Sequence, residues 1–371
     1  MKKIYFKNSK NWDGISLVSY NKDESQANEL KLCSGKELSF DFDNESYDHI
    51  EIRASSNEKT GKAYTGALSI GVEYKTNEKM ERELTYLFSP SKEITGTVEN
   101  FVIEDSKNLT HRHDKSKKIS VFLPTSYDGK TPHDILYFFD AQNLYCGAGE
   151  YTENGDPYGS WQLDVVLSEL HRQYGKNIIV VGIDNADEYR SNELFMDHKV
   201  FGELSPLATS IPEDDFTVGY LDNLSEFMVK TLHPFVKERY CVDESNIGIG
   251  GSSMGGIASF YCALREMGFY KYVLSYSPAY GLYENSAFEH YFDKKDFLHN
   301  AEILPLIHIY CGGGDPLEQS LLPASKWMKT ALVAHGYPQD KIYETYDLEK
   351  PHNEESWRLI LCESFSKLFN L

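Results

Sequence analysis

The 371-residue chain has no run of about 18 apolar residues, and the two lysines behind Met1 are not followed by an apolar stretch. Neither a membrane span nor an export signal is expected, and a cytoplasmic location is. Cysteine is sparse. The six present (Cys33, Cys146, Cys241, Cys262, Cys311, Cys362) are far apart and form no C-x-x-C pair, so a disulfide framework is not expected and a reducing compartment fits them. There is no H-E-x-x-H and no clustered Cys/His set. His111 and His113 in Thr110-His-Arg-His-Asp-Lys115 read as a solvated loop, and the sequence calls for no metal or organic cofactor. Positive charge is also short, with 37 Lys and Arg against 57 Asp and Glu, a net charge of -20. A nucleic-acid backbone or an anionic lipid surface would be repelled over most of such a molecule, so neither is expected as a partner. No internal repeat or low-complexity tract occurs.

What is present is an ordered globular composition, with 41% hydrophobic residues and 25% charged ones, at a length that suggests about two domains. Up to about Val98, short β-like runs (Lys3 to Lys7, Gly14 to Tyr20, Glu37 to Phe42, Asp48 to Ala54, Ala67 to Tyr74, Glu83 to Phe88) are broken by Asn, Asp, Gly and Ser. This rhythm predicts a β-sandwich. Ser89 to Gly96 reads as a linker, and beyond it strands and helices alternate. Strand-like runs fall at Lys117 to Pro124, Ile135 to Asp140, Asn177 to Ile183, Asn246 to Gly250, Tyr272 to Ser275, Leu306 to Tyr310 and Lys341 to Tyr346. Helical ones fall at Trp161 to Tyr174, Val218 to Tyr240, Gly255 to Met267, Gln319 to His335 and Glu354 to Phe369. The expectation is a β-sandwich accessory domain over 1–98 and an α/β domain over 99–371.

The chemistry concentrates in Asn246-Ile-Gly-Ile-Gly-Gly-Ser-Ser-Met-Gly-Gly256, which runs from an apolar strand into a helix and contains G-x-S-x-G with Ser253 at its centre. A sharp strand-to-helix turn flanked by glycines can hold a serine in a strained, exposed conformation at a helix N-terminus. There the Met254 amide would face a developing oxyanion. Phosphate-binding readings of the same glycines fail. A dinucleotide fingerprint would need glycine where Ser253 stands, and a P-loop would need lysine in place of Gly256.

A serine hydroxyl needs a base, and the base needs an orienting acid. Five histidines follow Ser253. His308 lies within a strand, His335 ends a helix, and His290 and His299 fall in a polar insertion, which leaves His352 in the loop between the last strand and the last helix as the base. The acid should follow the preceding strand, where Ile307 to Tyr310 leads into Cys311-Gly-Gly-Gly-Asp315. Asp315 is the favoured orienter, with Glu318 as the alternative and an N-cap in front of Pro316 as the structural reading of Asp315. The second oxyanion donor is expected after Ile135 to Asp140, at the amide of Gln142.

Taken together, Ile119 to Pro124, Phe139 to Leu144, Val180 to Asn185, Gly250 to Gly256 and His352 to Trp357 resemble the esterase D-like group of α/β-hydrolases. That group includes carbohydrate esterase family 1, enterochelin-type siderophore esterases, S-formylglutathione hydrolase and mycolyltransferases. The resemblance covers about Gly96 to Leu371. It implies an α/β-hydrolase fold, Ser253 as nucleophile, His352 as base and Asp315 as acid, with Gln142 and Met254 forming the oxyanion hole. Ile4 to Trp12 and Ile15 to Tyr20 resemble the opening of starch-binding β-sandwich modules of carbohydrate-binding family 26. This implies glycan binding on a platform drawn from Tyr5, Trp12, Tyr20, Tyr47 and Tyr64. Trp161, Tyr276 and Tyr280 are not assigned to substrate, since aromatic residues so placed are as often core.

The resulting expectation is a serine carboxylic-ester hydrolase working through an acyl-enzyme on a small-molecule or carbohydrate ester, with a sugar-linked acyl ester favoured. An enterochelin-type siderophore esterase, an acyltransferase to a sugar or lipid alcohol, and a carbohydrate-binding protein with a lapsed triad are the alternatives.

Overall fold

The computed structural model describes residues 2–7, 14–20, 25–31, 37–42, 49–55, 63–64, 83–88, 94–109, 115–145, 160–186, 189–209 and 218–369. The N-terminal strands are β1 (Lys2–Lys7), β2 (Ser16–Tyr20), β3 (Gln26–Lys31), β4 (Glu37–Phe42), β5 (His49–Arg53) and β6 (Ala63–Tyr64). They form two antiparallel sheets, a β1-β4 pair and a four-stranded sheet in the order β3-β2-β5-β6. Trp12, Tyr47, His111, His113 and the expected strand at 67–74 lie outside the described residues. Tyr20 does not present a stacking face as expected. It is only 6% exposed, and its hydroxyl donates to the buried Glu51 at 2.8 Å.

The next strands are β7 (Glu83–Phe88), β8 (Ile94–Glu104), β9 (Ser116–Pro124) and β10 (His133–Phe139), and then helix α1 (Leu163–Tyr174) leads to β11 (Ile178–Ile183). Three single-turn helices, α2 (Arg190–Glu193), α3 (His198–Phe201) and α4 (Pro206–Thr209), precede α5 (Leu221–Phe227), which a π turn joins to α6 (His233–Arg239). There follow β12 (Val242–Ser252), α7 (Met254–Arg265), β13 (Tyr272–Tyr276), α8 (Asn285–Asp293), β14 (Leu306–Gly312), α9 (Pro316–Ala334), β15 (Ile342–Asp347) and α10 (Glu354–Phe369).

Strands β7 to β15 make one nine-stranded sheet in the order β15-β14-β13-β12-β10-β11-β9-β8-β7. The six from β11 to β15 across β10 are parallel, and β9, β8 and β7 continue the sheet antiparallel. The run Ile-Leu-Tyr-Phe-Phe of β10 is buried on both faces, as a central parallel strand requires. Its side chains divide by period two: Ile135, Tyr137 and Phe139 join the core on the α5 to α9 side, while Leu136 and Phe138 join Trp161, Tyr276 and Trp357 under α1 and α10. Trp161, Tyr276 and Tyr280 are all core residues, each at most 1% exposed.

The expected boundary at 98/99 cuts through a strand. β8 pairs with β9 continuously from Gly96 opposite Pro124 to Glu104 opposite Ser116, so these residues belong to the large sheet. The glycine that suggested a linker is a packing requirement: a Cβ at Gly96 would sit 2.3 Å from the Leu123 carbonyl oxygen and 2.5 Å from the Phe122 ring. The segment holding His290 is likewise not simply a polar insertion. It forms α8, which buries Ala287, Phe288 and Phe292.

Chain order places β11 on one side of β10 and β12 on the other, so the segments leaving the C-terminal ends of β10 and β12 diverge at that point. Open α/β sheets form their ligand crevice at such a reversal.

Candidate active site

Ser253 occupies the single residue between β12 and α7, at φ 55° and ψ −118°. That backbone region is strained for a residue with a side chain, and the surrounding structure over-determines it. The Ser253 amide donates to Tyr276 O at 2.9 Å, and its carbonyl accepts from the Gly256, Ile257 and Ala279 amides at 3.0 to 3.2 Å. The flanking glycines provide room. A Cβ at Gly251 would lie 2.7 Å from the Gly255 carbonyl, and one at Gly255 would lie 3.2 Å from both Phe139 Cβ and Asp140 Oδ2. Met254 opens α7, where the first amides of a helix have no acceptor within it.

Ser253 lines a cleft of about 660 Å³ together with Gln142, Arg190, Leu317, His352 and Trp357. His352 lies between β15 and α10, as expected. Its ring Nδ1 meets Glu318 Oε1 at 2.9 Å, and its ring stands edge-on to Trp357, with centroids 5.0 Å apart and planes at 86°. A proton on Nδ1 directed at the carboxylate leaves Nε2 as the basic nitrogen.

The carboxylate at the imidazole is therefore that of Glu318, and the expectation for Asp315 is corrected. Asp315 caps α9: Oδ1 accepts from the Glu318 amide at 2.9 Å, and Oδ2 accepts from the backbone amide of His352 at 2.6 Å. Both its oxygens are committed to main chain, and what it holds of His352 is the backbone. Glu318, one turn into the helix and fully buried, reaches back to the ring. Its second oxygen accepts from the Gly312 amide at 2.8 Å and from Cys311 Sγ at 3.1 Å.

Burial by itself would raise the Glu318 carboxyl, but hydrogen bonds from His352, Ser277 and Cys311, together with the nearby imidazole, hold it below its ordinary value. Asp315 is likewise held low, the His352 and Glu318 amides outweighing its desolvation. Burial and the neighbouring Glu318 push the Cys311 thiol up, which keeps it a donor. Ser277 completes the shell. It is fully buried at φ 39°, and its Oγ accepts from Trp357 Nε1 at 2.9 Å, which leaves its own proton for Glu318.

Two glycines bind the two loops together. Gly313 and Gly314 amides donate to Lys350 O at 3.2 and 2.9 Å, and a Cβ at Gly314 would lie 2.4 Å from Glu349 O. On the other side of the cleft, Gln142 sits in a short 3₁₀ turn, Ala141–Asn143, directly after β10. The structure thus brings Ser253, His352, Gln142 and Asp315 around one cleft, with Met254 next to the serine.

Sequence reasoning ranked Glu318 second and did not single out Ser277, Cys311 or Arg190. The Asp-Pro-x-Glu pattern held the signal for the acid, since an N-cap aspartate is already engaged by the amide three residues on. Among the described residues, no group of three or more His, Cys, Asp or Glu side chains could hold a metal ion, and no helix is long and apolar enough to cross a membrane.

A mixed sheet of this order, with a strained serine between strand and helix and a histidine after the last strand, defines an α/β-hydrolase. The chain belongs to the Esterase family, described as "Putative esterase", whose model matches residues 110–368, and it is a serine esterase. Solved structures of the same fold include an IroE-like serine hydrolase from Shewanella oneidensis (16% identity, 74% of this chain and 80% of that one, TM-score 0.55). Others are the BES protein from Bacillus cereus (14%, 73% and 95%, 0.54) and the siderophore hydrolase EstA from Aspergillus nidulans (14%, 72% and 94%, 0.51). No curated protein matches the chain.

Proposed function

We propose that Ser253, His352 and Glu318 form the catalytic triad of a carboxylic-ester hydrolase that works through an acyl-enzyme. The observation that carries this reading is the 2.9 Å contact between His352 Nδ1 and the buried Glu318, in a cleft lined by a serine at φ 55°. Ser253 Oγ attacks the ester carbonyl carbon while His352 Nε2 takes its proton, and Glu318 stabilises the imidazolium. The tetrahedral oxyanion faces the amides of Met254 and Gln142. Collapse breaks the bond to the alcohol oxygen, which receives the proton from Nε2. Water, activated by the same nitrogen, then adds to the acyl carbon and releases the acid and free Ser253.

The substrate in this reading is an acyl ester of a sugar-like, hydroxyl-bearing alcohol. Gln142, Asn143 and Glu354 put amide and carboxylate groups on the cleft wall beside the apolar surface of Pro316, Leu317 and Trp357. Such a lining offers hydrogen bonds to a polyol next to apolar surface for a short acyl group. Sugar binding by the N-terminal strands is no part of this reading; Tyr20, one of the five aromatic residues expected in its platform, is buried.

Hydrolysis of a short p-nitrophenyl ester by wild type and by Ser253→Ala, with mass spectrometry after a fluorophosphonate probe, tests the chemistry. Turnover that depends on Ser253, and an adduct on that residue, are expected. A folded wild type with neither would overturn it. Acetylated sugars should be cleaved with higher kcat/KM than long-chain alkyl esters, and the reverse order would overturn the substrate reading.

A further inference from the structure

Asp140 is one of few non-glycine residues with left-handed backbone, at φ 58° and ψ 55°, and it stands where β10 gives way to the turn holding Gln142. Its carbonyl accepts the Asn143 amide at 3.3 Å and so closes that turn. Its carboxylate is gripped in a fork by Arg190, with Nε on Oδ1 at 2.7 Å and Nη2 on Oδ2 at 2.9 Å. Two parallel bonds fix direction as well as distance.

Arg190 is itself firmly based. It begins α2, and three residues on Glu193 forms a fully buried ion pair with Lys117 of β9. The same turn is tied to α5, with the Tyr220 amide on Asn192 O at 2.7 Å and Asn192 Nδ2 on Val218 O at 2.9 Å.

The carboxylate also lies against the nucleophile's helix. Its Oδ2 would be 3.2 Å from a Cβ at Gly255, the residue after Met254. A carboxylate beside the first turn of that helix stands close to where negative charge develops in the transition state. Unpaired, it would oppose that charge.

We propose that Arg190 is a positioning residue of the oxyanion hole. Through Asp140 it fixes the turn that presents the Gln142 amide, and it neutralises a carboxylate that abuts the helix turn next to Met254. The inference rests on the triad reading above. Because the oxyanion is present in the tetrahedral intermediate and its flanking transition states but not in bound substrate, loss of Arg190 lowers kcat and spares KM.

The test compares wild type, R190K, R190Q, D140N and R190Q/D140N in hydrolysis of p-nitrophenyl butyrate, with inhibition by a trifluoromethyl ketone and near-UV circular dichroism to confirm folding. R190Q should lose about 30- to 100-fold in kcat, somewhat less than deletion of an oxyanion donor, with KM changed by less than about threefold. The ketone Ki should rise in parallel, because the ketone's adduct carries the oxyanion. R190Q/D140N should regain at least about fivefold in kcat over R190Q, since the opposing charge is gone and asparagine tolerates left-handed backbone. Damage that is merely structural would not be relieved by removing the second partner. R190K, which keeps the charge without the fork, should lose at least about fivefold in kcat while staying above R190Q, and it decides the matter if R190Q does not fold. If wild type shows Ser253-dependent turnover and R190Q or R190K stays within about threefold in kcat, the positioning role is refuted while the triad stands. Without Ser253-dependent turnover in wild type, both readings fall.

Discussion

Glu318→Gln is the substitution that separates the two carboxylates of the acid loop. In wild type one Glu318 oxygen meets His352 Nδ1 at 2.9 Å, and the other accepts from the Gly312 amide at 2.8 Å and from Cys311 Sγ at 3.1 Å. Every neighbour is a donor, so an amide cannot satisfy the site in either orientation. With its NH2 toward His352 it forces the proton onto Nε2, where the base is needed. With its NH2 toward Gly312 it sets donor against donor in a fully buried position. Loss of the orienting anion should lower kcat by about 10³- to 10⁴-fold, about 4 to 5 kcal/mol of barrier. Asp315→Asn keeps an amide oxygen for the Glu318 amide and asparagine caps as well as aspartate, so its cost should be mainly the His352 amide left without its acceptor, about 1 kcal/mol of stability. Its kcat should stay within about tenfold of wild type. The assay is p-nitrophenyl ester hydrolysis on both variants, alongside thermal melts. If Asp315→Asn is the variant that abolishes turnover while Glu318→Gln keeps it, the reasoning is wrong.

Ser277→Ala removes a donor from Glu318, so its carboxyl should rise from its lowered value and the acidic limb of kcat/KM should move to higher pH. An unmoved limb in a pH-rate profile would count against a link through Ser277. Gly314→Ala places a Cβ 2.4 Å from the Glu349 carbonyl oxygen, which no side-chain rotation relieves. It should push the histidine loop from the acid loop and cut kcat by more than tenfold, with a lower Tm, as scored in a combined activity and melting assay. Burial lowers His308 from 6.5 to about 4, with Nε2 on Thr345 Oγ1 at 2.9 Å. The unfolded state then binds the extra proton first, so stability is full above about 6.5 and falls as pH drops toward 4, by about 3 kcal/mol. Urea melts of wild type and His308→Gln between these pH values should show the slope in the first and lose it in the second.

The parallel part of the α/β sheet was legible because most of its strands are short apolar runs buried on both faces, with helical segments of a different period between them. The strained serine turn was legible for a similar reason, since Gly251, Ser253 and Gly255 are local to one turn. The carboxylate that meets the imidazole was harder to read, because Asp315 and Glu318 are one helical turn apart and sequence does not show which side chain is already spent. The Pro316 that follows Asp315 held the answer: it sets the first helical position and makes Asp315 a cap. Ser277 and Arg190 were hidden for a stronger reason. Each acts across the fold on a residue far away in sequence, Ser277 on Glu318 and Arg190 on Asp140, and no local pattern records such a pairing. Gly96 misled because a glycine that admits a neighbouring strand looks in sequence like one that frees a linker.

The division of labour between Asp315 and Glu318 follows from where an acid can stand at the start of α9. A residue at the N-cap points its carboxylate at the helix's own amides. It is well placed to hold backbone, and Asp315 holds that of Glu318 and His352 together. Reaching the imidazole ring is left to a longer side chain from the next turn, with its free oxygen anchored by Gly312 and Cys311 at the end of β14. The acid and base loops thereby become one unit, laced also by the Gly313 and Gly314 amides on Lys350 O. Asn143 Nδ2, donating to Glu354 Oε1 at 3.1 Å, ties the turn of Gln142 to the helix that follows His352. A strained serine held by main-chain bonds at the centre, and loops on both sides held to each other as well as to the sheet, give the site little freedom to reorganise as charge develops. That rigidity is what electrostatic stabilisation of an oxyanion requires.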